Sequence, residues 1–272
     1  AYLNLVRKYG DEPRVAVWDA ILGSLRTLDS LARGEPEQAQ IRRFLIDFAR
    51  PRFDKLGWDE KPGETAEESQ LRSMLAIALA RAGDRQAIAE GRARFARLLA
   101  DPSSVPPSMI DFVTGTAGRY ADAATYDALA ARTADAPNSE ERNRYGRALT
   151  SAQDPALAAR TLQALLSPQT PPDLVPYILG GVANEHLDQT WNFAVANRDA
   201  LLANLEALGR YSLFAGIVGA SANPAHAEMM ESYMREHFGP DGAVEAERVG
   251  NGVRIRAAQK ARLLPQVRAA LQ

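Results

Sequence analysis

Three histidines, His186, His226 and His237, are the side chains of this sequence best suited to bind a metal ion or to transfer a proton near neutral pH. None of them belongs to an HExxH motif, which would place two imidazoles one helical turn apart for zinc. His226 and His237 fall on one predicted helix, but several turns separate them. We therefore expect packed or surface histidines here and no metal site.

Motifs for phosphate binding and nucleophilic catalysis are also missing from the sequence. It contains neither GxxxxGK[ST] nor GxSxG, and the Gly250-Asn251-Gly252 triplet lacks the strand-turn-helix context of a dinucleotide site. The acidic pairs Glu67-Glu68 and Glu140-Glu141 fall at predicted helix N-termini, where carboxylates interact favourably with the macrodipole. Ser151 and Ser221 stand at helix boundaries and are predicted caps. The residues on their own thus predict no self-contained active site.

Composition restricts the classes of protein that remain. The chain has 272 residues, 46% of them hydrophobic, and a net charge of −2, which argues against a general nucleic-acid binder. It has no cysteine, so disulfides and thiolate metal sites are excluded. The longest unbroken apolar run, Met74–Ala80, is too short to span a bilayer. Because the sequence opens without Met inside a helical pattern, we expect a fragment of a longer parent protein. The sequence does not decide whether the parent is cytoplasmic or periplasmic.

One segment departs from this balanced charge. From Arg248 to Gln272 there are six Lys or Arg residues and no acidic residue. We expect these residues to form a solvated helix face that balances the acidic stretch from Asp59 to Glu68.

Helix signals recur along the whole chain, and those around residues 57–84 are the clearest. Thr65 followed by Glu68 spells a capping box, which predicts a helix start. Gly83 predicts a left-handed helix end, and Asp84 is placed to cap the next helix. Between them, one helix face is apolar: Leu71, Leu75, Ala78, Leu79 and Ala82. This stretch therefore predicts two helices joined by a very short turn.

The complete pattern predicts an all-α fold of roughly 13 to 15 short helices. Asp154-Pro155 and Asn223-Pro224 each pair a capping side chain with proline at the first helical position. Only Val249–Ile255 is ambiguous, and we interpret it as a strand or a loop. The predicted architecture is a right-handed superhelix of antiparallel helix pairs, an irregular solenoid like those of HEAT or armadillo repeats, in a single domain over residues 1–272.

Five phrases along the chain have a distinctive order and spacing: RFLIDFARPRFDKLGW, LGWDEKPGETAEESQLRSMLAIALARAGD, RALTSAQDPALAARTLQALLS, TWNFAVANRDALL and GVRIRAAQKARLLPQVRAAL. From about Tyr2 to Leu271 they resemble the C-terminal helical domain of zinc aminopeptidases of the aminopeptidase N and endoplasmic-reticulum aminopeptidase type (gluzincin family). This resemblance implies that a catalytic domain precedes the sequence in the parent protein and carries the zinc-binding HExxH motif.

The resemblance also implies a function. The parent would be a bacterial-type zinc metallo-aminopeptidase that removes N-terminal residues from peptides, with zinc polarising the scissile carbonyl and activating water. This domain would be inactive alone and hold no cofactor. Its partners would be the upstream catalytic domain and the peptide, because in this family the helical domain closes the substrate cavity and helps select peptides.

Arg26 is the one residue of this sequence for which the resemblance suggests contact with substrate. The stretch SLRTLDSLARGEPEQAQIRRFLI matches a family helix on which some relatives carry residues that face the cavity near the peptide C-terminus. An arginine there can bind the substrate carboxylate through two hydrogen bonds. The alternative is that Arg26 only solvates the polar side of its helix. For the whole chain, the alternative is a free-standing helical-repeat adaptor that binds another protein.

Overall fold

The computed structural model describes residues 2–168, 170–203, 205 and 207–271, and side chains throughout except at 207 and 208. These residues form α-helices and three short 3₁₀ helices, and no β-strand occurs among them. The α-helices are α1 Tyr2–Val6, α2 Val15–Leu31, α3 Glu37–Leu56, α4 Ala66–Ala82, α5 Arg85–Ala100, α6 Ile110–Arg119, α7 Ala123–Ala134, α8 Ser139–Thr150, α9 Pro155–Ala164, α10 Leu174–Ala183, α11 Leu187–Ala196, α12 Arg198–Leu202, α13 Ala207–Val218 and α14 Pro224–Leu271. The predicted all-α class is confirmed.

The fold divides into two compact units. Unit 1 comprises the chain up to Ala117 together with the segment from Lys260 onward, and unit 2 comprises Gly118–Gln259. The superhelix and the single domain over residues 1–272 stay predictions. No helix in the described ranges combines the length and the apolar character that crossing a bilayer requires.

Unit 1 is built on the mutual packing of α2, α3 and α4, with α5 against α4. Trp18 of α2 is completely buried, its ring centroid lies 4.8 Å from that of Phe48, and its Nε1 donates to the carbonyl of Glu12 at 2.8 Å. On α4, Leu71 and Leu75 are fully buried, as the apolar pattern predicted. Burying such a side chain is worth about 1.5–3 kcal/mol, so these contacts fix the face that α4 turns to the core.

The ends of α4 confirm the local predictions. Thr65 Oγ1 accepts the backbone N–H of Glu68 at 3.2 Å, and Glu68 Oε2 accepts that of Thr65 at 3.0 Å. Gly83 ends the helix with φ of 93°, in the left-handed region that favours glycine. Asp84 Oδ1 then accepts the N–H of Ala87 at 2.8 Å and begins α5. Each predicted capping residue thus satisfies backbone groups that a helix end leaves unpaired.

Unit 2 is centred on α10, which packs against α8, α9, α11 and α13. Its core contains an aromatic group in which Phe214 lies 5.9 Å from Trp191 and 4.9 Å from Tyr233, centroid to centroid. The predicted cap at Asp154 is confirmed, since its Oδ1 accepts the N–H of Ala156 at 2.8 Å.

The long α14 is interrupted at Gly239, where φ is 65° and ψ is −156°. The two halves of α14 therefore lie against each other. Arg254 of the second half donates two hydrogen bonds, of 2.7 and 2.6 Å, to Glu231 of the first half. The interpretation of Val249–Ile255 as a strand or loop was wrong: this run is helical. Gly250 lies beside the Glu231 carboxylate, so the two halves of α14 approach each other closely at this position.

Candidate functional site

Arg26, the predicted substrate contact, lies on the exposed side of α2. Its neighbours in the chain, Leu25 and Leu28, are buried, whereas Arg26 itself is exposed. The guanidinium lies along the preceding turn, and a β-carbon built on Gly23 would be 3.7 Å from its Nη2. Among the described residues, none accepts a hydrogen bond from this guanidinium or forms an ion pair with it.

This arrangement leaves the donors of Arg26 available to a group from outside the described residues. A guanidinium offers two parallel N–H groups that match the two oxygens of a carboxylate. Exposure alone is equally compatible with a cation that only interacts with water. The contact between Arg26 and a peptide carboxylate therefore stays a prediction.

Two of the three histidines bond to groups within unit 2 at helix ends. His186 Nε2 lies 2.8 Å from the carbonyl oxygen of Ala152. His226 Nδ1 lies 2.8 Å from Ser221 Oγ, and its Nε2 lies 3.4 Å from Asp188 Oδ1. These contacts join neighbouring elements of the unit.

The contact between Ser221 and His226 resembles a nucleophile beside its base. Ser221 Oγ, however, also accepts the backbone N–H of Asn223 at 3.0 Å, which is the geometry of a turn leading into α14. The predicted role of Ser221 at a helix boundary thus agrees with the structure.

The third histidine lies in a polar cluster that the sequence did not predict. His237 Nδ1 is 3.1 Å from Arg198 Nη1, and the Tyr233 ring packs 4.3 Å from the imidazole, centroid to centroid. Burial raises the pKa of Tyr233, and the nearby charge of Arg198 partly offsets this effect. No sequence signal indicates the cluster, because α12 and α14 are far apart along the chain.

The described part of the chain brings no three His, Cys, Asp or Glu side chains together in a way that could hold a metal ion. The available donors do not fit a zinc site, since the imidazoles of His186, His226 and His237 lie in separate hydrogen-bonded groups.

Residues 57–65, here named the acidic connection, join α3 to α4. Asp59 Oδ1 accepts Arg94 Nη2 at 2.8 Å, Glu60 Oε1 accepts the Ser108 hydroxyl at 3.0 Å, and Glu64 pairs with the fully buried Arg72. The three carboxylates therefore contact three different elements of unit 1. These partners indicate a structural role for the acidic connection.

Contrary to expectation, the basic segment from Arg248 onward does not balance the acidic stretch from Asp59 to Glu68. Five of its six cations pair with other groups: Arg248 with Glu245, Arg254 with Glu231, Lys260 with Glu35, Arg268 with Glu37, and Arg256 with the carbonyls of Gly219 and Ser221. Residues 248–271 are helical and expose Arg248, Arg254, Arg262 and Arg268, as predicted. The predicted balance was wrong, because the acids of residues 59–64 are occupied by Arg72, Arg94 and serine hydroxyls.

Unit 2 also contains an ion pair, between Arg119 and Glu185, that the sequence does not indicate. Arg119 donates from Nη1 and Nη2 to the two carboxylate oxygens of Glu185 at 2.7 and 3.3 Å. Burial lowers the pKa of Arg119, but the hydrogen bonds and charge of Glu185 outweigh burial and raise it above its ordinary value. The pair links α6 to the end of α10 and has a structural explanation.

Comparison with protein-family models gives a match over residues 1–249 to the family described as the ERAP1-like C-terminal domain. The chain belongs to this family. The resemblance to this family is confirmed, and four of the five phrases lie within the matched residues. The match includes Arg26, the acidic connection and the three histidines of this ERAP1-like domain.

Curated relatives of this ERAP1-like domain are aminopeptidases. Aminopeptidase M1-A of Oryza sativa subsp. japonica is 26% identical over 244 residues, which cover 87% of this chain and 27% of the relative. Aminopeptidase M1-B of the same plant is 28% identical over 212 residues, covering 74% and 24%. Aminopeptidase 2, mitochondrial, of Saccharomyces cerevisiae is 24% identical over 209 residues, covering 75% and 22%. The chain thus spans about a quarter of the length of the curated relatives it matches.

Proposed function

We propose that this ERAP1-like domain is the non-catalytic C-terminal domain of a zinc-dependent peptide aminopeptidase. The observation that carries the proposal is the family match over residues 1–249, together with relatives that are named aminopeptidases. In this proposal the domain closes the substrate cavity and helps to bind and select peptides, and the upstream catalytic domain is its permanent partner. That the parent is of bacterial type stays a prediction.

The proposal assigns the zinc ion and the chemical step to the upstream domain. The described residues of this chain offer no fitting set of zinc ligands, so no step of the reaction is attributed to them. The contribution of this domain is binding. Contacts with the distal part of a peptide provide free energy that can position the reacting N-terminal end.

Arg26 is the proposed contact for the C-terminal carboxylate of the peptide. Two features support it: the guanidinium is exposed, and among the described residues no acceptor occupies it. Its helix is well fixed, because α2 is anchored by the buried Trp18 and Leu25. A cation on an anchored helix is suited to recognise a carboxylate at a defined position, since little further ordering of the backbone is required.

The assignment of chemistry is tested by comparing the complete parent protein with the chain of 272 residues alone. We expect the parent to contain about one zinc ion per molecule and to hydrolyse an aminoacyl anilide, and the domain alone to do neither. Metal analysis and a colorimetric assay measure both properties. One tightly bound zinc ion or hydrolysis by the domain alone would refute the proposed division of labour. A parent without peptidase activity would favour the adaptor alternative.

A further inference from the structure

The last residues of the chain pack on unit 1 through a defined set of contacts. Lys260 Nζ lies 2.7 Å from Glu35 Oε1, and Arg268 Nε donates to Glu37 Oε1 at 2.5 Å. Between these cations, Leu264 and Val267 are buried. Residues 260, 264, 267 and 268 have the spacing i, i+4, i+7 and i+8, so the two paired cations and the two buried apolar side chains share one face of α14.

Glu37 is the unusual member of this group, since it is a carboxylate that is only 1% exposed. Its own backbone amide and the Arg268 guanidinium hold the pKa of Glu37 below its ordinary value. The second oxygen, Oε2, has no hydrogen-bond partner among the described residues. The Arg268 side chain is 58% exposed, so this pair lies at the edge of unit 1, where water screens part of its attraction.

The position of these contacts in the chain is also informative. Arg268 and Glu37 are separated by 231 residues, yet both belong to unit 1. The family match ends at residue 249, so the segment from 260 onward lies beyond it. A segment outside the family match therefore pairs with residues at the start of α3.

We propose that residues 260–271 act as a strap, and that the edge of unit 1 marked by Glu35 and Glu37 is its docking site. The strap supplies two cations for the acidic edge, and the same helix face carries the buried Leu264 and Val267. When the strap is docked, it covers Glu37 and holds the start of α3. When the strap is released, the Glu37 carboxylate loses Arg268 and the start of α3 loosens.

Hydrogen exchange measured by mass spectrometry on the complete chain tests this proposal. Arg268→Glu places a second carboxylate against Glu37, and Arg262→Glu makes the same change of charge at an exposed position of the strap. We expect amides of residues 260–271 and 37–45 to exchange at least tenfold faster in Arg268→Glu, and to change less than twofold in Arg262→Glu. Adding Glu37→Gln to Arg268→Glu should restore much of the protection, because the glutamine amide can donate to the new carboxylate.

The proposal would be contradicted if amides 260–271 and 37–45 exchanged at the same rate in the Arg268→Glu and Arg262→Glu proteins, whether that rate is fast or as slow as in the wild type. Should Arg268→Glu unfold the chain, the neutral pair Arg268→Gln and Arg262→Gln provides the same comparison with a smaller perturbation. Faster exchange confined to Arg268→Gln supports the proposal, and no difference between these two variants contradicts it.

Discussion

Two charged regions of unit 1 differ in what their side chains contact. In the acidic connection, Asp59 and Glu64 bind Arg94 and Arg72, and those arginines are almost or completely buried. On the exposed side of α2, Arg26 has no such partner among the described residues. The first region is charged because the fold needs its ion pairs. The second region carries a cation without a partner among the described residues, which leaves Arg26 available for the substrate contact that the family resemblance suggests.

The largest effect is expected in the acidic connection. Arg72→Ala removes a fully buried cation and leaves the Glu64 carboxylate without its charged partner. We expect unfolding to become easier by about 3–5 kcal/mol, as for other broken buried pairs. Urea-induced unfolding followed by circular dichroism measures the change.

The double variant Arg72→Met with Glu64→Gln is the control for Arg72→Ala. It removes both charges and retains much of the volume, so it should cost far less than Arg72→Ala. A cost for Arg72→Ala under about 1 kcal/mol would show that the acidic connection does not depend on its ion pairs.

A smaller effect is expected at the end of the acidic connection. Thr65→Ala removes the side chain that accepts the Glu68 N–H and should destabilise the chain by about 1 kcal/mol. Thr27→Ala, on α2, is the matched control because the Thr27 hydroxyl bonds within its own helix and caps nothing. Equal costs in urea-induced unfolding would mean that the capping box contributes nothing specific.

The smallest effect on stability is expected at Arg26. Arg26→Ala removes an exposed side chain without a partner among the described residues, so the free energy of unfolding should change by less than about 0.5 kcal/mol. A loss of more than about 1 kcal/mol in the free energy of unfolding would reveal a structural role for Arg26. The contrast between Arg26 and the acidic connection would then not hold.

The features predicted correctly from the sequence are those set by a few neighbouring residues. The Thr65–Glu68 capping box, the left-handed Gly83 and the Asp84 cap all act within one turn of helix, so their sequence signals suffice. The prediction for Val249–Ile255 was wrong because the structure of this run depends on a contact that is distant in the sequence. Gly250 suggested a turn, but it lies inside α14 beside the Glu231 carboxylate from the preceding half of that helix, a contact that no local rule indicates.

Of the candidate site, the sequence named Arg26 through the family resemblance, and the structure shows that it is exposed on α2 next to the buried Leu25. Ion-pair partners could not be predicted. Glu37 and Arg268 lie 231 residues apart, and only the folded chain brings them together. The same holds for the contact between Arg198 and His237 in unit 2.

The proposed role in substrate selection is tested most directly by the dependence of the parent enzyme on a peptide's C-terminal carboxylate. Wild type, Arg26→Ala, Arg26→Lys and, as a control, Arg85→Ala would be assayed on one long peptide with a free C-terminus, on its C-terminal amide, and on an aminoacyl anilide. We expect Arg26→Ala to lower kcat/KM on the free acid about tenfold, near 1.4 kcal/mol, and to leave the amide and the anilide within about twofold. Arg26→Lys should lose less than Arg26→Ala, and Arg85→Ala should lose nothing specific to the acid. Equal losses by Arg26→Ala on acid and amide, or no loss on either, would contradict the proposed contact and leave Arg26 as a solvated surface cation.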